Sequence, residues 1–251
     1  MNLDRSLTIL ADGVPVAASC RKRLSGKDSL SLYPSLFELR LWNLPDSDYL
    51  VLRHAREISV SHGESCLASG TISDVFRRGT KDGVLTTAAF SLGLNLWETV
   101  VSLTVPAGTL LSETIRRILS ASGTGIPLLS FPAEDLPLPR PLVCYGRAAE
   151  EIASALSMAS ARAMLTPSGV MVVPPGGLPV SLTLTEKDLT DEPSFAGENL
   201  MILSAPVSGW RPGQTIRLEH SGIAAEGIIS ERSVDADTGG GPWECEMIVE
   251  V

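Results

Sequence analysis

Apolar and polar positions alternate with a period of two through much of this chain. In LFELRLW, Phe37, Leu39 and Leu41 fall on one face and Glu38, Arg40 and Trp42 on the other, the pattern of a strand with one side buried. REISVSHGE (56–64), CLASGTISDVF (66–76), VLTTAAFSLGL (84–94) and TVVSLTVPAG (99–108) read as further strands, with turns expected at Gly63, Gly79 and Gly83. Ahead of them, SLTILADGVPVAAS predicts a hairpin, because Asp12-Gly13 accepts the positive φ of a type I′ turn. CRKRLSGKDS (20–29) is basic and small and reads as a loop, and SDYLVLRHA (47–55) as a short helix or turn. The first hundred or so residues therefore predict an antiparallel barrel or sandwich.

The period changes after Gly108. Leu111, Ile115, Ile118 and Leu119 share one helical face, Arg116 and Arg117 fall outside it, and Gly123 is placed to end the helix. GIPLLSFPAEDLPLPRPLV contains five prolines, which cannot donate ladder hydrogen bonds, so an extended surface crossing is expected. A second helix follows in GRAAEEIASALSMASA, with Ala148, Ile152, Ala155, Leu156 and Ala159 on one face and Glu150 and Glu151 at its positive end. RAMLTPSGVMVVPP predicts a hairpin turning at Pro167 and Gly169, and PVSLTLTEKDL another strand. From Leu200 onward the pattern is strand and turn again. The expected divisions are a β domain over 1–106, a helix, proline-rich crossing and small α/β region over 107–195, and a C-terminal β module over 196–251, with strands from 142–187 available to complete it.

Composition narrows the functions. The formal charge of −9 argues against a surface that neutralises nucleic-acid phosphates, while leaving open a conduit wall past which DNA slides, or plain solubility. Four cysteines, Cys20, Cys66, Cys144 and Cys245, show no C-x-x-C pairing and are expected as reduced, partly buried thiols. No apolar run has the length of a membrane span, and MNLDRSLTILADG lacks a basic-then-apolar leader, so synthesis and folding in a cytoplasm are expected.

Reactive constellations are scarce. His54, His62 and His220 lack the spacing of a helical zinc pair. Gly63-Glu64-Ser65-Cys66-Leu67 begins like a nucleophile elbow but has Leu67 where the second glycine belongs, which favours a plain turn over a Ser65 nucleophile. The Gly-rich stretches around 123–125 and 174–177 lack the lysine or spacing of a phosphate loop. Asp235, Asp237, Gly239, Gly240 and Glu246 match a calcium-loop pattern, making Asp235, Asp237 and Glu246 candidate cation ligands. Strands instead of helices flank them, and Pro242 interrupts the loop, so a solvated hairpin is the competing reading. Arg21, Lys22, Arg23 and Lys27 form a basic cluster suited to an acidic partner or to a solvated loop. Trp42, Trp97, Trp210 and Trp243 are expected in the core or at subunit contacts. No catalytic residue, cofactor or metal is expected.

The two ends of the chain carry a resemblance. Trp210-Arg211-Pro212-Gly213-Gln214-Thr215-Ile216, then Gly227-Ile228-Ile229, then the Asp235-x-Asp237-x-Gly239 loop and a Trp243 strand resemble the final barrel of bacteriophage baseplate hub proteins of the late-control "protein D" type, related to the hub half of type VI valine-glycine repeat proteins. Phe37 to Leu41, Ala55 to Val60 and Leu67 to Ile72 look like that family's first barrel, and Gly146 to Ile152 with Gly169 to Val173 like its middle helix and hairpin. The resemblance implies a mainly β fold with an α+β insertion, two tube-like antiparallel barrels bracketing the small α/β region. It implies a non-enzymatic hub in a virion tail, a homotrimer whose pseudo-sixfold ring joins the tail tube to the spike or tip. The partners it implies are further copies of itself, the tail tube protein, the spike or tip protein and the C-terminus of the tape-measure protein, with no sequence-specific nucleic acid. Alternatives are a tail-tube or distal-tail ring protein and a tail-associated cell-wall hydrolase. Trp210, Arg211, Pro212, Gly213 and Ile248 are the expected assembly residues, and a charge at Ile248 is expected to block ring formation, although the alternation in the closing strand leaves its buried face open.

Overall fold

In the computed structural model, residues 5–179, 182–197, 199–220 and 223–251 are described. β1 (Thr8–Ala11) and β2 (Val14–Val16) form the expected hairpin, with Asp12 and Gly13 at φ 47° and 79°. The Asp12 carboxylate also accepts the backbone N–H groups of Arg56 and Glu57, which fastens the turn to the strand that begins at Glu57. The basic stretch read as a loop is instead β3 (Arg21–Ser29). Arg21, Arg23 and Lys27 are matched by acidic residues more than two hundred positions away, and Lys22 donates to the Ala18 carbonyl, which reduces the repulsion and solvation that would keep such a segment out of a sheet. β4 (Ser35–Trp42) buries Phe37, Leu39 and Leu41 on one face, as its alternation predicts. After α1 (Asp46–His54) come β5 (Glu57–His62), β6 (Ser65–Thr80) and β7 (Gly83–Leu92). Gly79 does not make a turn: it lies inside β6 opposite Val84, and the chain reverses at Lys81-Asp82.

A short helix that the sequence pattern does not reveal, α2 (Leu94–Glu98), leads into β8 (Val100–Val105). α3 (Leu111–Ser122) ends at left-handed Gly123 and buries Leu111, Ile115, Ile118 and Leu119, as expected. The proline-rich crossing is extended but not free. It contributes β9 (Leu128–Ser130), and Leu136 and Leu138 exchange backbone hydrogen bonds with the 108–111 turn before the chain enters β10 (Leu142–Arg147). α4 (Ala148–Ser157) buries Ala148, Ile152, Ala155 and Leu156. The hairpin β11 (Arg162–Thr166) and β12 (Gly169–Val173) takes β9 as a parallel third strand. β8 and β10 form a separate two-stranded ribbon. Its inner side packs on the two helices, in a core built around Ile115, Ile118, Ile152 and Val170.

The rest of the chain supplies β13 (Leu182–Thr185), β14 (Ser194–Phe195), β15 (Leu200–Pro206), β16 (Thr215–His220), β17 (Ile223–Asp237) and β18 (Trp243–Glu250). One large sheet runs in the order β14-β15-β18-β17-β3-β4-β7-β6-β5-β1-β2, antiparallel throughout, with β16 on β17 and β13 parallel to β16. β17 is long enough to serve two neighbours on one side. Its first half pairs with β16 and its second half with β3, and it changes register at Ser230 between the two. The two β-rich ends of the chain are thereby edge-joined, and the core follows: Val234, Ala236, Trp243 and Cys245 pack with Ile9, Leu39 and Phe90. A further core holds Leu184, Met201, Leu218, Met247 and Val249.

Candidate assembly surfaces

The register of β3 on β17 decides the chemistry at their seam. Arg21, Arg23 and Lys27 share one face with Asp237, Asp235 and Glu231, each displaced by two positions from its partner. Arg21 grips Asp237 with two hydrogen bonds of 2.6 and 3.0 Å, Arg23 grips Asp235 with two of 2.6 and 2.8 Å, and Lys27 pairs with Glu231. Fork-to-carboxylate pairs of this kind are stronger than hydrogen bonds between neutral groups. Arg21 holds the Asp237 carboxyl below its ordinary range, against the opposing effect of burial. Two of the three candidate cation ligands are thus engaged by guanidinium groups. The third, Glu246, lies one strand over on β18, opposite Ser233 and Ser204. Among the described residues no group of three or more His, Cys, Asp or Glu is placed to hold a metal ion.

On the core side of the same seam sits Arg232, 2% exposed. Its guanidinium donates to both oxygens of Asp28 (2.9 and 2.8 Å), to the Trp210 carbonyl (2.9 Å) and to the Leu67 carbonyl (2.6 Å). One side chain therefore joins β17, β3, β6 and the turn before β16. Burial pushes the Asp28 carboxyl above its usual range, with Arg232 as the main opposing pull. Neither residue was singled out in the sequence. The available signal was an arginine in phase with inward Val234 and Ala236, matched by an aspartate in phase with Leu24.

The Trp210-Arg211-Pro212-Gly213 turn lies against this junction. Pro212 and Gly213 are covered by the chain's own atoms, while Trp210 and Arg211 are half-buried. Arg211 donates to the Cys66 carbonyl at 3.1 Å, and the Gly213 N–H to the Ile229 carbonyl at 2.8 Å. Gly213 has φ 86°, and a Cβ there would stand 2.9 Å from Val173 and 3.1 Å from the Met164 sulfur. Through these contacts the turn pins β16 to the β11–β12 hairpin. In β18 the open question of face is answered: Cys245, Met247 and Val249 point into the core, and Ile248 stands on the other side, half-buried opposite Ile202.

Apolar surface lies elsewhere. The outer side of the β8–β10 ribbon carries Val100, Val143 and Tyr145, 64%, 68% and 80% exposed. Neither strand has a second neighbour among the described pairings, so the ribbon offers side chains and backbone groups together. At one edge Arg147 lies over Trp97, 4.7 Å from the ring centre, and Trp97 meets Tyr33 at 4.5 Å. The large sheet ends in short strands, β14 with exposed Phe195 and β2 with exposed Val14.

The other sequence candidates are accounted for locally. Gly63-Glu64 make the turn between His62 and Ser65, which pair directly. His62 packs edge-on against Trp243 at 5.2 Å, and Trp42 lies under Arg21 at 4.5 Å. The four cysteines are unpaired, and burial pushes the Cys144 thiol up to about 11. No helix among the described residues is long and apolar enough to cross a membrane.

No protein-family model matches the chain, and no curated protein matches it in sequence. Solved structures do match in fold. The chain is similar to a tail protein from Neisseria meningitidis MC58, at 11% identity and TM-score 0.73, over 98% of this chain and 96% of that one. It is similar to the 43 kDa tail protein of prophage MuSo2 from Shewanella oneidensis, at 10% identity and TM-score 0.72, over 98% and 96%. It is also similar to the E. coli c3393 protein, a component of the type VI secretion system, at 11% identity and TM-score 0.65, over 99% and 75%. The class is therefore a mostly β fold shared by phage tail proteins and a type VI secretion component.

Proposed function

We propose that this protein is a structural, non-enzymatic component of a phage or phage-like tail, built into the baseplate as its hub. The observation that carries this reading is the end-to-end fold likeness to a tail protein, which accounts for 98% of this chain and 96% of that one. In this reading three copies form a pseudo-sixfold ring, each copy contributing two β-rich units, the 1–106 and 196–251 regions, around the 107–195 insertion. The ring joins the sixfold tail tube to a threefold spike or tip, with the tape-measure C-terminus as a further neighbour, in the virion tail.

Physical support comes from the surfaces. A ring needs edges and apolar faces that a monomer leaves uncovered, and the β8–β10 ribbon offers both. In this reading the half-buried Trp210 and Arg211 of the Trp210–Gly213 turn and Ile248 on the outer side of β18 also contribute to subunit contacts.

Native mass measurement of the purified protein, alone and with the tail tube protein, tests the reading. A trimer that binds the tube end is expected. A hexamer would assign the chain to the tube or distal-tail ring instead, and a monomer that clears peptidoglycan in a zymogram would make it a hydrolase.

A further inference from the structure

The strands β1, β5, β6 and β7 turn one face toward α2, Thr124, Ile126 and Pro167, and between them lies a cleft of about 400 Å³. Strand register decides what lines it. Glu57, Thr71 and Ser91 stand directly opposite one another across three strands, and Ser59 opposite Ser69 in the next row. The other side of the same strands is core, with Ile58, Val60 and Phe90. One face of this corner is thus hydrocarbon and the other a field of hydroxyls.

Two of those hydroxyls have no partner. Ser91 is 3% exposed, and its Oγ, like that of Ser69, is buried without a hydrogen bond. A buried polar group left unpaired is costly, and a ligand that reaches it recovers that cost. Asp12 and Glu57 line the same cleft, and no Lys, Arg or His does. Asp12 keeps its charge because the N–H groups of Glu57 and Arg56 hold its carboxyl below the usual range. An anion would meet carboxylates here with no cation to receive it. A neutral alcohol would satisfy the hydroxyls and leave the charge unused. An ammonium group has three donors and a positive charge, which suits hydroxyl and carboxylate acceptors together. Leu92, Leu94 and Ile126 in the same wall suit the methylene stem behind it.

We propose that this cleft is a binding site for an alkylammonium group, supplied by a free diamine or by a lysine side chain. The site does not depend on the assembly reading above. Chemical-shift titration of the whole protein with putrescine, with N-acetyl-lysine amide and with neutral butanediol tests it. Both amines are expected to shift the amides of Glu57, Thr71 and Ser91 saturably while butanediol does not. Tighter putrescine binding identifies a free amine as the occupant, and tighter binding of the lysine amide a side chain. Ser91→Ala and Glu57→Gln are each expected to weaken the amines about tenfold, the loss of one charge-assisted hydrogen bond. The Ser91 hydroxyl has no partner to lose, so Ser91→Ala is expected to melt no lower than the parent, which separates lost binding from lost folding. Absence of saturable shifts, equal response to butanediol, or undiminished affinity in both variants would overturn the site.

Discussion

Arg232 shows how a single residue sets conditions for the whole seam. A guanidinium taken out of water must have its donors met, and here Asp28 and two carbonyls from separate segments meet them. Replacing Arg232 by Leu strands the Asp28 carboxylate and two carbonyls, and is expected to cost about 3–5 kcal/mol in urea unfolding. The double change Arg232→Met with Asp28→Leu removes both charges and is expected to recover most of that loss; no recovery would mean that the carbonyl contacts dominate. Asp237 gives a test by pH. Its folded carboxyl is held below the ordinary value by Arg21, so the stability it contributes is complete above the usual carboxylate range and fades as pH falls through the depressed value. Asp237→Asn is therefore expected to flatten the acid limb of a melting-temperature profile below about pH 4 while lowering stability at neutral pH.

At the scale of elements, what could be read from the sequence was what neighbouring residues decide. The Asp12-Gly13 hairpin, the alternation of β4, the apolar stripe of α3 and its glycine stop all depend on residues within a turn or two, and all formed as expected. β3 failed that test because the groups that make it a strand, Asp235, Asp237 and Glu231, are remote in sequence. α2 was too short for a periodic signal. The resemblance points to the Trp210–Gly213 turn, but its contacts with Val173, Met164 and Cys66 are ones no local pattern connects to it. Two glycines separate backbone strain from packing. Gly13 and Gly213 have φ of 79° and 86°, yet a Cβ meets nothing at the first and crowded side chains at the second. Gly13→Ala is expected to cost about 1–2 kcal/mol for the left-handed backbone alone, and Gly213→Ala distinctly more. Equal losses in thermal or denaturant melts would show that the second site yields freely.

For the whole molecule, the mostly β character was legible from the ordering of strand and helix patterns and the tail-protein likeness only through the residues that carry the resemblance, whereas the continuity of the large sheet was not legible. Nothing in a linear pattern announces that β17 turns from β16 to β3 at Ser230. The exposed ribbon proposed for assembly was likewise hidden, because Val100, Val143 and Tyr145 look like ordinary strand residues until the ribbon is seen to have no third strand among the described residues. Val143→Asp and Tyr145→Asp place charge on an already exposed face. They are expected to leave the melting temperature of the isolated chain within a few degrees of the parent while abolishing the oligomer in native mass spectra; intact assembly would move the contact to another face.

The seam between β3 and β17 also has a consequence for synthesis. A ribosome that has delivered Arg21 to Ser29 must make some two hundred further residues before the partner at Glu231 to Asp237 exists. Through that interval the nascent β3 bears an arginine- and lysine-studded rim without the carboxylates of β17, and such like charges are expected to disfavour edge-to-edge pairing of one growing polypeptide with the next.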